Sequence, residues 1–62
     1  MPLNRYSMGK VISCHHGRFI LPSDVIEVEI DDNYIKFYCE DGIYEANLDE
    51  KWKLQKIKDS IV

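Results

Sequence analysis

The residues whose chemistry stands out are a cysteine and two histidines in succession, Cys14, His15 and His16. On a β-strand, Cys14 and His16 point to one side and His15 to the other, because successive side chains alternate. Cys39 would be a third ligand if its strand lay nearby. A zinc site needs three or four ligands, and the sequence has no CxxC or HxxxH pair. We therefore predict no metal ion. Cys14, His16 and Cys39 are weak candidates for a zinc site shared between subunits, and buried cysteines beside a turn histidine are the ordinary alternative.

Residue patterns for catalysis are weak throughout the sequence. A Cys-His nucleophile is disfavoured because neighbours on a strand diverge and no third residue orients the base. The three glycines are isolated, which excludes a glycine-rich phosphate loop, and the carboxylates occupy positions that solvent normally hydrates. We predict that the protein is not an enzyme, that it has no catalytic residues and that it needs no cofactor.

An aromatic stripe is the best candidate for a binding surface. Tyr34, Lys36 and Tyr38 alternate along one predicted strand, and Glu27 and Glu29 share their face if the preceding strand pairs with it as a hairpin. Tyrosines on such a face cover the sheet, stack on single-stranded bases or anchor a protein interface. The two glutamates would repel phosphates, so the pattern favours a protein partner over a nucleic acid.

Alternation of apolar and polar residues predicts the two strands that carry this stripe. In residues 25–30, with the pattern V-I-E-V-E-I, the inner positions are Ile26, Val28 and Ile30. In residues 33–39, the inner positions are Ile35, Phe37 and Cys39. These two strands therefore share an apolar inner face, opposite the tyrosines and glutamates.

Turn residues divide the remaining strands. Asp31-Asp32-Asn33 predicts a turn between the two strands, and Asp41-Gly42 predicts a type I′ hairpin turn into a short strand at 43–46. Two weaker strands, 10–14 and 18–21, precede them and are joined through His15-His16-Gly17. The pattern therefore favours a small, mainly antiparallel sheet.

The C-terminal residues change from strand to helix periodicity. Asn47 and Glu50 form a capping-box pattern at the start of this segment. Its apolar residues lie on two helical faces, with Leu54, Ile57 and Ile61 on one and Leu48 and Trp52 on the other. Alternation of Trp52 and Leu54 on a strand is the other interpretation. We predict the helix, packed on the sheet.

Charge is divided into three blocks along the chain. Residues 1–23 contain three basic and no acidic residues, 24–50 contain ten acidic residues and Lys36, and 51–62 contain four lysines and Asp59. The net charge of −3 therefore conceals a strongly acidic middle segment. Either the basic ends neutralise this segment, or it forms an acidic face for a basic partner.

Length and composition exclude several classes of protein. Sixty-two residues form one domain, 1–62, with residues 1–9 as a candidate flexible segment. The hydrophobic content of 45% is that of a globular protein, and no apolar run is long enough to cross a bilayer. The first residues lack the apolar core of a signal peptide, and two cysteines are too few for a disulfide scaffold. We therefore predict a cytoplasmic protein without membrane contact.

Four motifs also suggest a family: L-P-S-D-V-I-E-V-E at 21–29, N-Y-I-K-F-Y at 33–38, D-G-I-Y at 41–44 and N-L-D-E at 47–50. In order and spacing, residues 18–54 resemble the first half of the LytTR family, the DNA-binding output domains of many bacterial response regulators. The resemblance implies DNA contact by the loop that falls on Asp31, Asp32 and Asn33. The family's second half, which completes the sheet and adds DNA contacts, has no counterpart in residues 1–62. Two aspartates are also poor neighbours for phosphates.

These observations predict an α+β domain with a sheet of four to five strands and one C-terminal helix. The function predicted first is that of a small noncatalytic regulatory protein, bacterial or phage, which binds and could inhibit another, basic protein. Its partner-binding residues are Tyr34, Lys36, Tyr38, Glu27 and Glu29. The alternative is a truncated LytTR-like DNA-binding transcriptional regulator, whose contacts are Asn33, Arg18 and Lys10. A homodimer is compatible with both functions, because so small a core leaves sheet edges uncovered.

Overall fold

The computed structural model describes residues 10–60 and the backbone of residues 3–5. This part of the chain contains seven strands: β1 (Leu3–Arg5), β2 (Val11–Cys14), β3 (Gly17–Ile20), β4 (Val25–Ile30), β5 (Tyr34–Cys39), β6 (Gly42–Asn47) and β7 (Gln55–Lys58). All pairings are antiparallel, in a five-stranded sheet of order β1-β4-β5-β6-β7 and a separate β2–β3 hairpin. Apart from the backbone of β1, the predicted flexible segment 1–9 lies outside the described residues, and so does Ile61.

The central strands form as their alternation predicts. In β5, the side chains of Ile35, Phe37 and Cys39 are fully buried on what we call the inner face of the sheet. Tyr44 and Ala46 of β6 are buried beside them. β-branched and aromatic side chains suit this half-buried pleated surface, which explains why these residues form strands. The predicted antiparallel sheet is therefore confirmed.

Strand β4 departs from strict alternation at its start. Val25 is opposite Cys39 of β5, and the next pair joins Glu27 to Tyr38, so Ile26 is the extra residue of a β-bulge. As a result Val25 is buried and Ile26 is 39% exposed. The predicted inner position of Ile26 is wrong because the bulge turns it outward. Val28 is buried as predicted, and Ile30 is half-buried against the core.

The β2–β3 hairpin covers the inner face of the sheet. Its turn is formed by His15 and His16, between the paired residues Cys14 and Gly17. Ile12, Phe19 and Leu21 join the buried cluster of the sheet, and the rings of Phe19 and Phe37 lie 5.3 Å apart. Burial of such a side chain contributes roughly 1.5–3 kcal/mol, so these contacts hold the two layers together.

The β5–β6 hairpin forms where it was predicted, with its turn displaced by one residue. Cys39 is opposite Gly42, so the turn residues are Glu40 and Asp41, and Gly42 begins β6. The φ of Gly42 is +144°, a value that side-chain-bearing residues rarely adopt. A Cβ atom at Gly42 would lie 2.3 Å from the carbonyl oxygen of Lys58, so the glycine also lets β7 approach β6.

The predicted C-terminal helix is wrong, and the α+β class with it, because residues 10–60 contain strands and turns but no helix. One hydrogen bond of the predicted capping box does form, since the side-chain oxygen of Asn47 accepts the N–H of Glu50 at 2.8 Å, but no helix follows it. Lys51 and Trp52 then adopt φ values of 55° and 62°, in the left-handed region, where a right-handed helix cannot continue. The chain turns back, and β7 pairs with the open edge of β6. The described residues include no helix that could cross a membrane.

Candidate functional site

The five residues predicted to bind a partner lie together on the sheet. We call the side of β4, β5 and β6 that points away from the hairpin the outer face. In β5, Tyr34, Lys36 and Tyr38 alternate with the buried residues. In β4, Glu27 is directly opposite Tyr38, and Glu29 is directly opposite Lys36. Directly opposite residues of an antiparallel pair share a face, so the outer face carries all five side chains.

Glu29 is the centre of this group. Its Oε2 accepts a hydrogen bond from the Tyr34 hydroxyl at 2.5 Å, and its Oε1 accepts one from the Tyr38 hydroxyl at 2.9 Å. Glu29 is opposite Lys36, so the two tyrosines, two residues to either side of Lys36, are its diagonal neighbours. Diagonal neighbours are within reach of long aromatic side chains. One carboxylate therefore holds both tyrosine hydroxyls in place.

These hydrogen bonds shift the pKa values of the three groups. The hydroxyls of Tyr34 and Tyr38 lower the pKa of Glu29 below its usual value. The hydrogen bond to Glu29 raises the pKa of Tyr34 to about 12, and desolvation followed by the same carboxylate raises the pKa of Tyr38. Around neutral pH the site thus presents one charged carboxylate between two protonated tyrosines.

Lys36 adds a positive charge that lies against an aromatic ring. Its Nζ is 5.4 Å from the centroid of the Tyr34 ring, within the range of a cation–π interaction. Glu45 of β6 is opposite Lys36 on the other side and accepts a hydrogen bond from the Asn47 amide at 3.3 Å. With Glu27 and Glu29, the outer face of β4, β5 and β6 carries three carboxylates around one ammonium group. On the two edge strands, Arg5 of β1 is opposite Glu27, and Lys58 of β7 is opposite Ile43, so the excess of carboxylates is confined to the part around Tyr34 and Lys36.

Glu45 is a member of the site that the sequence analysis missed. The sequence does indicate this position, because Glu45 lies two residues after Ile43 on the strand predicted at 43–46, and residues two apart on a strand share a face. Either register of the turn puts Glu45 on the same face as the tyrosines, and the displacement of the turn by one residue decides only that its opposite residue is Lys36 and not Tyr38.

The described elements leave the outer face open. The hairpin that packs on the sheet contacts the opposite, inner face. The segment expected to form a helix is instead a turn followed by an edge strand. In residues 10–60, the rings of Tyr34 and Tyr38 are consequently packed by their neighbours in the sheet and not by a second layer.

The three predicted DNA contacts are all exposed, but they do not form one group. Arg18 is opposite Ser13, close to the hairpin turn, whereas Lys10 precedes β2 and its carbonyl accepts the N–H of Leu21. From Arg18 to Leu21 the strand extends by about 10 Å, so the two cations lie toward opposite ends of the hairpin. Asn33 lies on the separate β4–β5 turn.

The three weak metal candidates do not converge either. The Nε2–H of His16 donates to the carbonyl of Asp31 at 2.6 Å. Asp31 follows the end of β4 that pairs with Ile35, so His16 lies near the Ile35 end of β5. Cys39 lies four residues further along β5, at about 13 Å by strand geometry. The described residues contain no group of three side chains able to hold a metal ion. Cys14 and Cys39 are free, and burial raises the pKa of Cys39 to about 11, so its thiol stays protonated at neutral pH.

Two other clusters were not predicted, and both join elements distant in sequence. The His16 ring stacks on Trp52 with centroids 4.1 Å apart, which ties the hairpin turn to the segment before β7. Asp41 accepts hydrogen bonds from the hydroxyls of Ser23 at 2.6 Å and Tyr44 at 2.8 Å, and these bonds lower its pKa. Both clusters connect turns to strands, which indicates a structural role.

Comparison with known proteins gives no further guide to this site. No protein-family model matches the chain, and no curated protein or solved structure matches it. The resemblance of residues 18–54 to the LytTR family therefore stays a prediction. The geometry and charge of the outer face are what support a function.

Proposed function

We propose that this protein is a small noncatalytic module that binds another protein through its outer face. The observation that carries the proposal is the pair of tyrosine rings held on an open sheet face by a single carboxylate, Glu29. Tyrosine is enriched at the energetic centres of protein interfaces, because one side chain supplies both apolar area and a hydroxyl.

The hydrogen bonds to Glu29 favour binding in a second way. A side chain that becomes fixed only in a complex loses about 0.5–1.5 kcal/mol of conformational freedom. Tyr34 and Tyr38 are already restrained by their hydroxyls before a partner arrives. Part of this entropic cost is therefore met on folding, and the rings meet the partner in a defined arrangement.

The charge of the outer face indicates which partners it favours. Around Tyr34 and Lys36, away from the edge-strand positions of Arg5 and Lys58, the carboxylates of Glu29 and Glu45 outnumber the one ammonium group, so this part of the face favours a basic protein surface over a phosphate backbone. The alternative function, binding of duplex DNA through Asn33, Arg18 and Lys10, needs cations that act together, and these residues lie apart. Protein binding is therefore the function that the geometry supports best.

Affinity capture from a lysate of the source cell, with and without nuclease, tests this function. The immobilised chain is compared with a Tyr34→Ala/Tyr38→Ala variant and with Ile20→Ala, which removes an apolar side chain 67% exposed on the hairpin layer. Each captured protein is then purified and its affinity for the three chains is measured.

We expect the double variant to lose at least about 2 kcal/mol of binding free energy, as hot-spot residues do, and Ile20→Ala to bind like the parent chain. Cooperative thermal unfolding of every variant verifies that the fold is kept. Equal affinities of the double variant and the parent would contradict the proposal. Retention of nucleic acid that nuclease removes, with affinity falling steeply as salt rises, would support the DNA-binding alternative instead.

A further inference from the structure

We propose that the outer face binds an arginine-containing basic segment of its partner, and that the ammonium group of Lys36 occupies the position a partner cation takes over the Tyr34 ring. This inference rests on the proposed function and adds the chemistry of the partner. Lys36 then acts as an internal competitor, which moves aside when the partner's cation docks.

The position of Lys36 is the first support. The residues directly opposite Lys36 on the two neighbouring strands are Glu29 and Glu45, and both carry carboxylates. Within residues 10–60, however, the ion pairs are made by Lys56 with Asp41 and Asp59, and Lys36 makes none. Its Nζ instead lies 5.4 Å from the centroid of the Tyr34 ring. The ring therefore accepts a cation even where carboxylates compete for it.

The carboxylates of the outer face are the second support. Within residues 10–60, Glu29 and Glu45 have no ion-pair partner, whereas Glu27 is directly opposite Arg5 of β1. Glu29 uses one lone pair of each oxygen for a tyrosine hydroxyl, and a carboxylate has about four acceptor positions. The face can therefore accept further donors beside a ring that binds cations.

Arginine fits this combination better than lysine does. A guanidinium group stacks its plane on an aromatic ring while its edge donates to a carboxylate, whereas an ammonium group is a compact point charge. On the outer face the ring of Tyr34 and the carboxylate of Glu29 are joined by a hydrogen bond, so one guanidinium can reach both. A basic segment with arginine is thus the occupant that the charge and the rings favour together.

The test uses an octa-arginine peptide, with octa-lysine as a second probe, titrated into the ¹⁵N-labelled chain of residues 1–62 and followed by backbone chemical shifts. Lys36→Gln is paired with Lys53→Gln, an exposed lysine outside the face, so both variants change the net charge equally. Glu29→Gln is paired in the same way with the exposed Glu50→Gln. Cooperative unfolding is checked first, and Lys36→Met, which keeps the aliphatic stem, replaces Lys36→Gln if that variant does not fold.

We expect Lys36→Gln to bind octa-arginine about two- to fivefold more tightly than Lys53→Gln, the value of an exposed cation–π interaction. Glu29→Gln should bind about two- to fivefold more weakly than Glu50→Gln, and the shifts should centre on the outer face. Equal affinity within each pair, or shifts centred on Asp31, Asp32, Asp49 and Glu50, would overturn the inference.

This failure can be distinguished from failure of the proposed function. If octa-arginine ignores the outer face but a captured protein still depends on Tyr34 and Tyr38, the protein-binding function stands and the basic partner is wrong. If the captured protein is also indifferent to the two tyrosines, the outer face is not the binding surface at all.

Discussion

Replacing Gly42 with alanine is expected to detach the C-terminal strand from the sheet. The added Cβ would lie 2.3 Å from the Lys58 carbonyl oxygen and 2.9 Å from Cε of Lys56. The flexible lysine end can move aside, but the carbonyl belongs to the backbone of β7. The φ of +144° adds conformational strain, because this region is close to glycine-only.

Gly17 separates these two effects, since its φ is +132° and nothing lies within 4 Å of the position of an added Cβ. Gly17→Ala should therefore cost the strain alone, about 1–3 kcal/mol. Gly42→Ala should cost a similar amount plus one or two ladder hydrogen bonds of β7, each about 0.5–1.5 kcal/mol. A chain of this size has a total stability of only about 3–9 kcal/mol, so the difference is measurable by urea unfolding.

Hydrogen exchange of the amides locates the damage. In Gly42→Ala, the amides of Gln55–Lys58 should lose protection, while those of the buried strand Tyr34–Cys39 keep more of theirs. In Gly17→Ala, the amides of β7 should exchange as in the parent chain. Equal unfolding free energies for the two variants, or parental protection of β7 in Gly42→Ala, would refute the reasoning from the close approach at Gly42.

Three further predictions concern the outer face and the two irregular backbone segments. Tyr34 should titrate at about 12, and Glu29→Gln should return its pKa toward 10. Because the pKa of Tyr34 is raised in the folded state, the stabilisation of the fold by its hydrogen bond to Glu29 is complete below pH 10 and is lost as the pH rises through 12. Lys51→Gly should leave the protein unchanged or stabilise it by up to about 1 kcal/mol in thermal unfolding, because glycine relieves the strain of φ 55°. Deletion of Ile26 should cost less than about 1 kcal/mol in urea unfolding, because it removes the extra residue of the bulge and leaves Val25 facing the core.

Each of these predictions has an internal control. The pKa of Tyr44 is raised to about 12 chiefly by desolvation, together with its bond to Asp41, so it should not respond to Glu29→Gln in a ring-resolved NMR titration. Lys51→Val should destabilise the protein, because a β-branched residue tolerates the left-handed region worst. Deletion of Lys36, in a regular strand, should reverse the following side chains and unfold the domain. Three results would each contradict one of these arguments: a Tyr34 pKa that does not change in Glu29→Gln, equal stabilities of Lys51→Gly and Lys51→Val, or equal losses of stability on deletion of Ile26 and of Lys36.

The sequence predicts the central strands well because their local pattern and their tertiary environment agree. Ile35, Phe37 and Cys39 alternate with Tyr34, Lys36 and Tyr38, and the sheet buries the first set and exposes the second in part. The clustering of five site residues follows from this alternation and from one hairpin. The hydrogen bonds within the cluster do not follow, since they depend on the diagonal offset between strands.

The C-terminal segment shows why the rest could not be predicted. Leu54 and Ile57 fit a helical face, and the N–H of Glu50 donates to the Asn47 side chain as it would at a helix start. What prevents a helix is the left-handed conformation of Lys51 and Trp52, two residues without any intrinsic preference for it. The stack of Trp52 on His16 and the open edge of β6 stabilise that conformation, and both are tertiary contacts.

The absence of a C-terminal helix in residues 10–60 also changes the environment of Tyr34 and Tyr38. A helix over the sheet could have covered Tyr34 and Tyr38, and their hydroxyls would then be ordinary satisfied polar groups beneath a second layer. As an edge strand, residues 55–58 lie beside the sheet instead of above it. Glu29 then holds the two rings in place on a face that the described elements leave open. The proposed protein-binding function rests on this arrangement, and the Tyr34→Ala/Tyr38→Ala variant tests it.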